Sequence, residues 1–199
     1  MTESITEKTD EQLIKDYAGG SHFAFEALYK RYKNPTYHYC FRQVSTPALA
    51  DELHQDVWLK VIKSAAQFKQ QSSFKTWLYK IAHNTLMDYY RKSEKRKHLM
   101  IIQTNTREHH DNSGEAYSQE QQQPDNKLQN KQLQKLLLNG IEELPREQKE
   151  VFLLHEISGL SLHDIALVTQ SSFESTKSRL RYAGKKLHRH LARHLGVEL

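Results

Sequence analysis

A polar stretch near the middle of the chain separates two segments in which apolar side chains recur at helical spacing. Between Gln103 and Lys127 the only apolar side chains are Ala116 and Tyr117. A segment of this composition cannot bury enough apolar surface to offset the entropy lost when it becomes ordered. The sequence therefore predicts two separately folded units joined by a flexible linker, rather than one continuous core.

Both flanking segments are predicted to be helical. The 199 residues include only seven glycines and four prolines, and no stretch alternates apolar and polar side chains as a strand does. Phe25, Leu28 and Tyr32 share one face of a helix. Ser21 can cap this helix, which is predicted to end at Pro35. The predicted fold class is all-α.

The predicted domain bounds follow from this division. A first small helical domain covers residues 10–98, an acidic polar linker covers 99–127, and a second small helical domain covers 128–195. The chain has a net charge of +5, and each predicted domain has its own excess of Lys and Arg. This distribution favours an anionic partner for both domains.

The end of the second domain has the pattern of a helix-turn-helix. Ser161 and Asp164 resemble a capping box at the start of a short helix, which the polar turn TQSS follows. Ser172 can then cap a longer helix that runs toward Leu195. From Lys177 to His194 this helix contains seven Lys and Arg side chains and no acid. Duplex DNA is the natural partner of such a helix, and a merely solvated charged face is the alternative.

A helix near the end of the first domain has two unlike faces. Its apolar face is formed by Phe74, Trp77, Leu78, Ile81 and Ala82. The opposite face is predicted to contain Lys75, Tyr79, Lys80, His83, Asn84, Met87 and Arg91. Aromatic rings can stack on unpaired bases while amides and cations hold the strand. The spacing supports this interpretation no better than one in which the aromatic rings lie in the core.

The composition argues against a secreted protein, a membrane protein, a metalloprotein and an enzyme. Cys40 is the only cysteine, so no disulfide framework is possible. His190 and His194 lie one turn apart, but the cationic run around them has no carboxylate that would support a metal ion. No phosphate loop or nucleophile motif occurs. We expect a cytoplasmic protein, because no signal peptide or apolar span is present. We also expect no cofactor.

The chain resembles the extracytoplasmic-function group of the sigma-70 family of bacterial RNA polymerase sigma factors in four stretches that occur in the same order. They are FEALYKRY, ALADELHQDVWLKVI, SSFKTWLYKIAHNTLMDYYRK, and LPREQKEVFLLHEISGLSLHDIA followed by STKSRL. Each stretch is moderately specific, and the four together are highly specific. The resemblance implies a non-enzymatic subunit that binds core polymerase, recognises promoter DNA and helps to melt it.

The resemblance also implies three contact surfaces. The residues implied to bind core polymerase, at the clamp helices of its β′ subunit, are Asp51, Glu52, Gln55, Asp56 and Trp58. Those implied to bind the minus-ten element are Phe68, Lys75, Lys80, His83 and Asn84. Those implied to bind the minus-thirty-five element are Ser172, Lys177, Ser178, Arg181, Tyr182 and Lys185. The turn from Gln170 to Phe173 departs from the Gly-Val-Pro-type turn that members often have.

The partners that the resemblance implies are core RNA polymerase, through the β′ clamp helices and the β flap, and promoter DNA. An anti-sigma factor is a further candidate partner, and no membrane insertion is implied. Two other interpretations are open: a stand-alone helix-turn-helix regulator with an N-terminal sensory domain, and a nucleic-acid hydrolase that uses His and Asp. The regulator would explain the second domain but not the basic aromatic face of the first.

Overall fold

The computed structural model describes residues 8–44, 46–103 and 124–195, and at 97–103 and 124–130 it describes the backbone alone. Within these ranges the chain forms eight α-helices and one short 3-10 turn at Ala65–Gln67, with no strand. The helices are α1 (Asp10–Ala18), α2 (His22–Gln43), α3 (Pro47–Ser64), α4 (Phe74–Gln103), α5 (Pro124–Glu142), α6 (Arg146–Glu156), α7 (Leu162–Thr169) and α8 (Phe173–Leu195). The predicted all-α fold is confirmed.

The helices divide into two compact units. The first contains α1 to α4, and the second contains α5, α6, α8 and the first part of α7. Helix α4 runs on to Gln103 and helix α5 begins at Pro124, so helices enter the predicted linker, 99–127, from both ends. The rest of that linker, 104–123, lies outside the described residues. The domain bounds and the flexibility of the linker stay predictions.

The core of the first unit consists of large side chains from all four of its helices. Its fully buried large side chains are Leu13, Ile14, Leu28, Tyr39, Val57, Phe74, Leu78, Tyr79 and Leu86. The rings of Tyr39 and Tyr79 meet edge to face, with their centroids 5.6 Å apart. Complete burial of a Leu or Phe side chain stabilises a fold by about 1.5–3 kcal/mol relative to exposure. This core therefore fixes α3 and α4, the helices that carry two of the predicted contact surfaces.

Helix α2 continues through Pro35, so the break predicted there is wrong. Proline lacks the N–H that would bond to the carbonyl oxygen of Arg31, and its ring crowds the preceding turn. The buried hydroxyl of Thr36 donates to the carbonyl oxygen of Tyr32 over 2.6 Å, immediately beside the interruption. Because α2 also packs against α1, α3 and α4, the surrounding contacts keep this segment helical.

Local and distant contacts fix the starts of α1 and α4. Thr9 and Gln12 form a capping box, in which Thr9 Oγ1 accepts from the Gln12 N–H over 3.3 Å and Gln12 Oε1 accepts from the Thr9 N–H over 2.9 Å. At α4, the N–H of Phe74 donates to Oε1 of Glu11 over 2.8 Å. Glu11 therefore ties the first turn of α4 to α1, across 63 positions of sequence.

The second unit has a core of smaller apolar side chains. Those buried on α5, α6, the turns, α7 and α8 are Ile141, Leu144, Val151, Leu153, Leu154, Leu160, Ile165, Ala183, Leu187 and Ala192. Pro145 separates α5 from α6, which begins at the next residue. Helix α5 approaches α8 closely at Gly140, where an added Cβ would lie 2.9 Å from the ring of His190. This glycine lets the two helices pack without displacing that ring.

The predicted helix-turn-helix is confirmed as α7, a short turn and α8. Ser161 Oγ accepts from the backbone N–H of Asp164 over 3.1 Å, and Ser172 Oγ accepts from the N–H of Ser175 over 3.1 Å. Both predicted capping residues therefore bond to the first turn of their helices.

The turn between these helices contains a residue in the left-handed region. Gln170 has φ 52°, a value that usually favours glycine. The N–H of Ser171 donates to the carbonyl oxygen of Ala166 over 3.0 Å, as in the common glycine-terminated helix end. The turn that departs from the family pattern thus keeps a familiar geometry, at some cost in backbone energy.

Candidate functional site

One side of α3 is exposed over most of its length and carries acidic and apolar side chains. We call it the α3 face, and its members are Asp51, Glu52, Gln55, Asp56, Leu59 and Ile62. The first four are predicted contact residues, and all four are exposed. Sequence reasoning missed Leu59 and Ile62, which are 50% and 40% exposed. Their spacing of four and seven residues after Gln55 was the available signal, because it places them on the same side of a helix.

Trp58, a predicted partner contact, lies behind the α3 face and not on it. Its side chain is 4% exposed, and its ring packs edge-on against Phe25 and Tyr29, with centroids 5.8 and 4.9 Å away. Its indole N–H donates to Nε2 of His54 over 3.0 Å. Trp58 packs α3 onto α2, because a large ring at this position faces the core, and its predicted contact with a partner stays a prediction.

Aromatic side chains fasten the loop that precedes α4. Phe68 is half-buried, and its ring meets those of Trp77 and Phe74 edge-on, with centroids 5.3 and 6.3 Å away. The next three residues, 69–71, are exposed. The loop thus presents polar side chains to solvent, while Phe68 secures its beginning.

The exposed side of α4 differs from the prediction by the exchange of two aromatic residues. Tyr79, predicted for the exposed face, is fully buried, and Trp77, predicted for the apolar face, is half-buried and so only partly covered. Lys80, Asn84 and Arg91 follow Trp77 by three, seven and fourteen positions, which places them on its side, and all three are exposed. We call these four residues the α4 face. Because α1, α2 and α3 all contact α4, apolar spacing alone could not locate the centre of its buried side.

The structure separates the residues predicted to capture bases. Lys80 and Asn84 share the α4 face, and Phe68 touches its first member, Trp77. Lys75 is half-buried and His83 is 8% exposed, and both lie off this face. The exposed set is therefore smaller than the predicted one, and it gains Trp77 as its aromatic ring.

The first turns of α8 expose the side chains that are predicted to contact DNA. We call them the α8 face, and its members are Lys177, Ser178, Arg181, Tyr182 and Lys185. All are exposed except Ser178, which is half-buried. The guanidinium carbon of Arg181 lies over the ring of Tyr182, 5.0 Å from its centroid. Ser172 serves as the N-cap of this helix. Side chains of these types can donate to base edges and to phosphates.

Part of the positive charge of α8 is used within the second unit. The guanidinium of Arg179 lies 2.6 Å from Oε2 of Glu147 on α6. The Nδ1 atom of His190 lies 3.1 Å from Oε2 of Glu143, which follows α5. Both contacts hold α8 against its neighbours, and because Arg179 is paired with Glu147, the number of cations in the sequence overstates the number that can face nucleic acid.

Cys40 lies inside the first unit and is fully buried. Burial raises the pKa of its thiol to about 12, so the nucleophilic thiolate is scarce at neutral pH. Throughout the described ranges, no group of three His, Cys, Asp or Glu side chains could hold a metal ion. Nor does any described helix combine the length and apolarity needed to cross a membrane.

Two family models match the chain, one in each unit. Sigma-70 region 2 matches residues 28–96, and Sigma-70, region 4 matches residues 134–187. The first match includes the α3 and α4 faces, and the second includes the α8 face.

Curated relatives are similar to the chain over most of its length. Over 172 residues it is 29% identical to the ECF RNA polymerase sigma-E factor of Haemophilus influenzae, which covers 86% of this chain and 89% of that relative. Over 180 residues it is 27% identical to the protein of the same name from Escherichia coli, which covers 90% and 91%.

Two solved structures have a similar fold. CnrH, in complex with the cytosolic domain of CnrY, matches with a TM-score of 0.65 and 19% identity, over 94% of this chain and 99% of its own. The sigma factor RpoE from Bartonella quintana, in complex with the anti-sigma factor NepR, matches with a TM-score of 0.67 and 20% identity, over 84% and 96%. These likenesses concern the fold.

Proposed function

We propose, for a chain that belongs to the extracytoplasmic-function group of the sigma-70 family, that the α3 face binds core RNA polymerase while the α4 and α8 faces bind promoter DNA. The chain is a sigma factor, which directs polymerase to promoters at the start of transcription. The observation that carries the proposal is that the two family matches fall on different units, each with an exposed face of suitable chemistry.

The α3 face combines acidic side chains with an apolar centre. Asp51, Glu52 and Asp56 would attract a basic partner surface and orient it. Leu59 and Ile62 would then supply apolar area at the centre of the contact. The proposed partner surface is the pair of clamp helices of the β′ subunit.

The α4 face has the chemistry required to hold an unpaired strand. Trp77 offers a ring for stacking, Lys80 and Arg91 offer charge to the phosphates, and Asn84 offers an amide to a base edge. We assign the minus-ten element to this face. Lys75 and His83 lie off this face, and their predicted role at the minus-ten element stays a prediction.

The α8 face would contact the minus-thirty-five element. Lys177 and Arg181 lie near the start of α8, the part of a recognition helix that usually reaches base edges. Lys185 lies further along and would contact phosphates, and the same unit would contact the β flap of the polymerase. The proposal assigns no catalytic residue, because the core polymerase performs the chemistry.

Sigma-70 region 2 matches residues 28–96, which lie in the first unit. A stand-alone regulator would have a sensory domain there instead, so this match favours the sigma factor. An anti-sigma factor for this chain stays a prediction. The similar RpoE of Bartonella quintana is bound to one.

A reconstituted polymerase tests the proposal. The chain and purified core polymerase are combined, and binding and transcription from a promoter are measured for the parent and for an Asp51→Lys, Asp56→Lys double variant. We expect roughly tenfold or greater loss of core affinity, because the reversed charges would repel a basic partner. A Glu26→Lys, Glu94→Lys variant is the matched control, since both residues are exposed and lie outside the α3 face. Equal loss in both variants would show that net charge, not the α3 face, controls binding.

A further inference from the structure

His54 lies at the centre of a hydrogen-bonded cluster between α2 and α3. Its Nε2 atom is 3.0 Å from the indole nitrogen of Trp58 and 3.1 Å from Oγ1 of Thr36. Trp58 is 4% exposed and Thr36 is fully buried, so water is not a ready substitute for these contacts. The hydroxyl of Thr36 also donates to Tyr32, which connects the cluster to the segment of α2 that contains Pro35.

The contact with Trp58 favours one protonation state of this histidine. An indole N–H can only donate, so the bond from Trp58 requires a lone pair on Nε2 of His54. A neutral ring that accepts this bond carries its proton on Nδ1, and the single hydroxyl proton of Thr36 is then shared between Nε2 and the carbonyl oxygen of Tyr32. Protonation would set a second N–H against the indole N–H and leave a buried donor without an acceptor, which is unfavourable.

The cluster lies directly behind the surface assigned to core polymerase. His54 and Trp58 bracket Gln55 and Asp56 on the same turns of α3, but they face α2 rather than solvent. A change in how Trp58 packs would therefore move the backbone that carries the α3 face.

We propose that His54 is a positioning residue for the α3 face, and that protonation of its ring weakens the docking of core polymerase there. This inference rests on the proposed function of that face.

The groups that surround His54 set the direction of its titration. Tyr29 and Tyr37 on α2 have ring centroids 6.4 and 5.7 Å from its own, Lys33 makes a backbone hydrogen bond to it, and Asp51 is the neighbouring acid on α3. Burial lowers the pKa of His54 from its ordinary value of 6.5, against the opposing effects of the Lys33 bond and the Asp51 charge. The pKa of Tyr37 is raised by burial and by the same carboxylate.

The sign of the effect follows from these shifts. Because the pKa is lowered in the fold, the unfolded chain takes up this proton at a higher pH than the folded chain. The stability due to neutral His54 is therefore present above about pH 6.5 and is lost as pH falls toward the folded-state pKa. Docking acts in the same direction. A basic partner at Asp51 would offset the charge that favours the protonated ring, so protonation must in turn weaken docking.

The first test uses the free full-length chain and needs no polymerase. The indole N–H signals of its two tryptophans are followed by NMR while pH is lowered from about 7.5 to about 5.5. We expect the Trp58 signal to move with a midpoint below pH 6.5 that matches the His54 ring signals. Trp77 is the internal reference, because Phe68 and Phe74 are the ring contacts described for it. If the Trp58 signal does not shift while His54 titrates, the proposal is overturned.

The second test measures core affinity at the same two pH values. A His54→Gln variant can accept from Trp58 and donate with its other amide atom, but it does not titrate. We expect it to dock as the parent does at the higher pH and to lack the parent's decrease in affinity at the lower pH, which should be roughly threefold or more. His22→Gln controls for removal of an exposed histidine and should keep the parent's full decrease.

The outcomes distinguish this inference from the function on which it rests. If docking of the His54→Gln variant has the same pH dependence as docking of the parent, the proposed effect of His54 protonation is refuted. The assignment of the α3 face to core polymerase is then unaffected. If the parent fails to bind core at either pH, the docking assignment fails, and the inference about docking fails with it. A His54→Leu variant is a further control, because leucine has no atom that can accept the hydrogen bond from Trp58. Weaker docking of core polymerase at both pH values would support the positioning role of His54, whereas parent-like docking would contradict it.

Discussion

The first unit buries large aromatic rings, whereas the described part of the second is packed with smaller aliphatic side chains, and ion pairs join helices in both. In the first, Tyr39, Phe74 and Tyr79 are fully buried. In the described part of the second, no aromatic ring is fully buried, and Arg179 and Glu147 join α8 to α6. Both units are all-helical, so the difference lies in composition rather than in architecture.

This difference suits the different surfaces that the units carry. The α3 and α4 faces lie on helices fixed by an extensive core, so the backbone that carries them is held in place before any partner arrives. The α8 face lies on a helix whose cations serve both the fold and the proposed DNA contact. A unit that exposes this much charge has less apolar surface to bury, and its stability should respond more to salt.

The largest effect that would test this contrast is expected from a cavity in the first core. Leu78→Ala should lower the free energy of unfolding of the first unit by about 2–5 kcal/mol, because Leu78 is fully buried among large neighbours. Hydrogen exchange on the full chain is the measurement. Amides of α1 to α4 should lose protection while those of α6 and α8 keep theirs, and equal losses in both units would show that they unfold together.

A smaller effect is expected from the second unit's exposed surface. Arg181→Ala should weaken binding to the cognate minus-thirty-five element by roughly 1–3 kcal/mol. It should also reduce the preference for that element over mismatched promoters. Lys185→Ala is the matched control, since Lys185 lies one turn further along and should weaken binding to all sequences alike. Holoenzyme binding to both promoter classes measures the two effects. A uniform loss for Arg181→Ala would make that residue a backbone contact.

Most of the fold could be predicted from local patterns. Capping residues such as Thr9 and Ser172 indicate where α1 and α8 begin, and Pro145 indicates the break between α5 and α6. The predicted helix break at Pro35 was wrong, because packing of α2 on three other helices outweighs the local energetic cost of the proline. Such packing depends on the whole unit, which no window of sequence contains.

The candidate site was less predictable than the fold. Spacing placed acidic residues such as Asp56 on the exposed side of α3 but could not show that Trp58 faces inward, since large rings occur in cores and in contact surfaces alike. Trp77 and Tyr79 were exchanged for the same reason. The bond from Phe74 to Glu11 had no local signal, because its partners are distant in sequence.

A still smaller effect should come from backbone strain, and it should have opposite signs at two turns. Gln170→Gly should stabilise the turn between α7 and α8 by up to about 1 kcal/mol, because Gln170 has φ 52° and glycine adopts that region without penalty. Gly20→Ala is the counterpart in the first unit, where φ is 102°, and should destabilise it by about 1 kcal/mol or more. No atom lies within 4 Å of the added Cβ, so backbone strain alone is measured. Denaturant unfolding of both variants checks the signs, and destabilisation by Gln170→Gly would indicate that its side chain has a role in the turn.

The smallest effect distinguishes the charged contacts of the two units. A double-mutant cycle on Arg179 and Glu147 should give a coupling of about 0.2–1 kcal/mol, because the Glu147 side chain is 70% exposed. The corresponding pair in the first unit, Arg31 and Asp10, should couple more strongly. Asp10 is 22% exposed there and also accepts from the hydroxyl of Tyr32. Repeating both cycles at about 1 M salt should remove most of the first coupling and less of the second, because screening acts mainly on exposed charges. Equal salt sensitivity would contradict the contrast between a unit held by burial and one held partly by exposed charge.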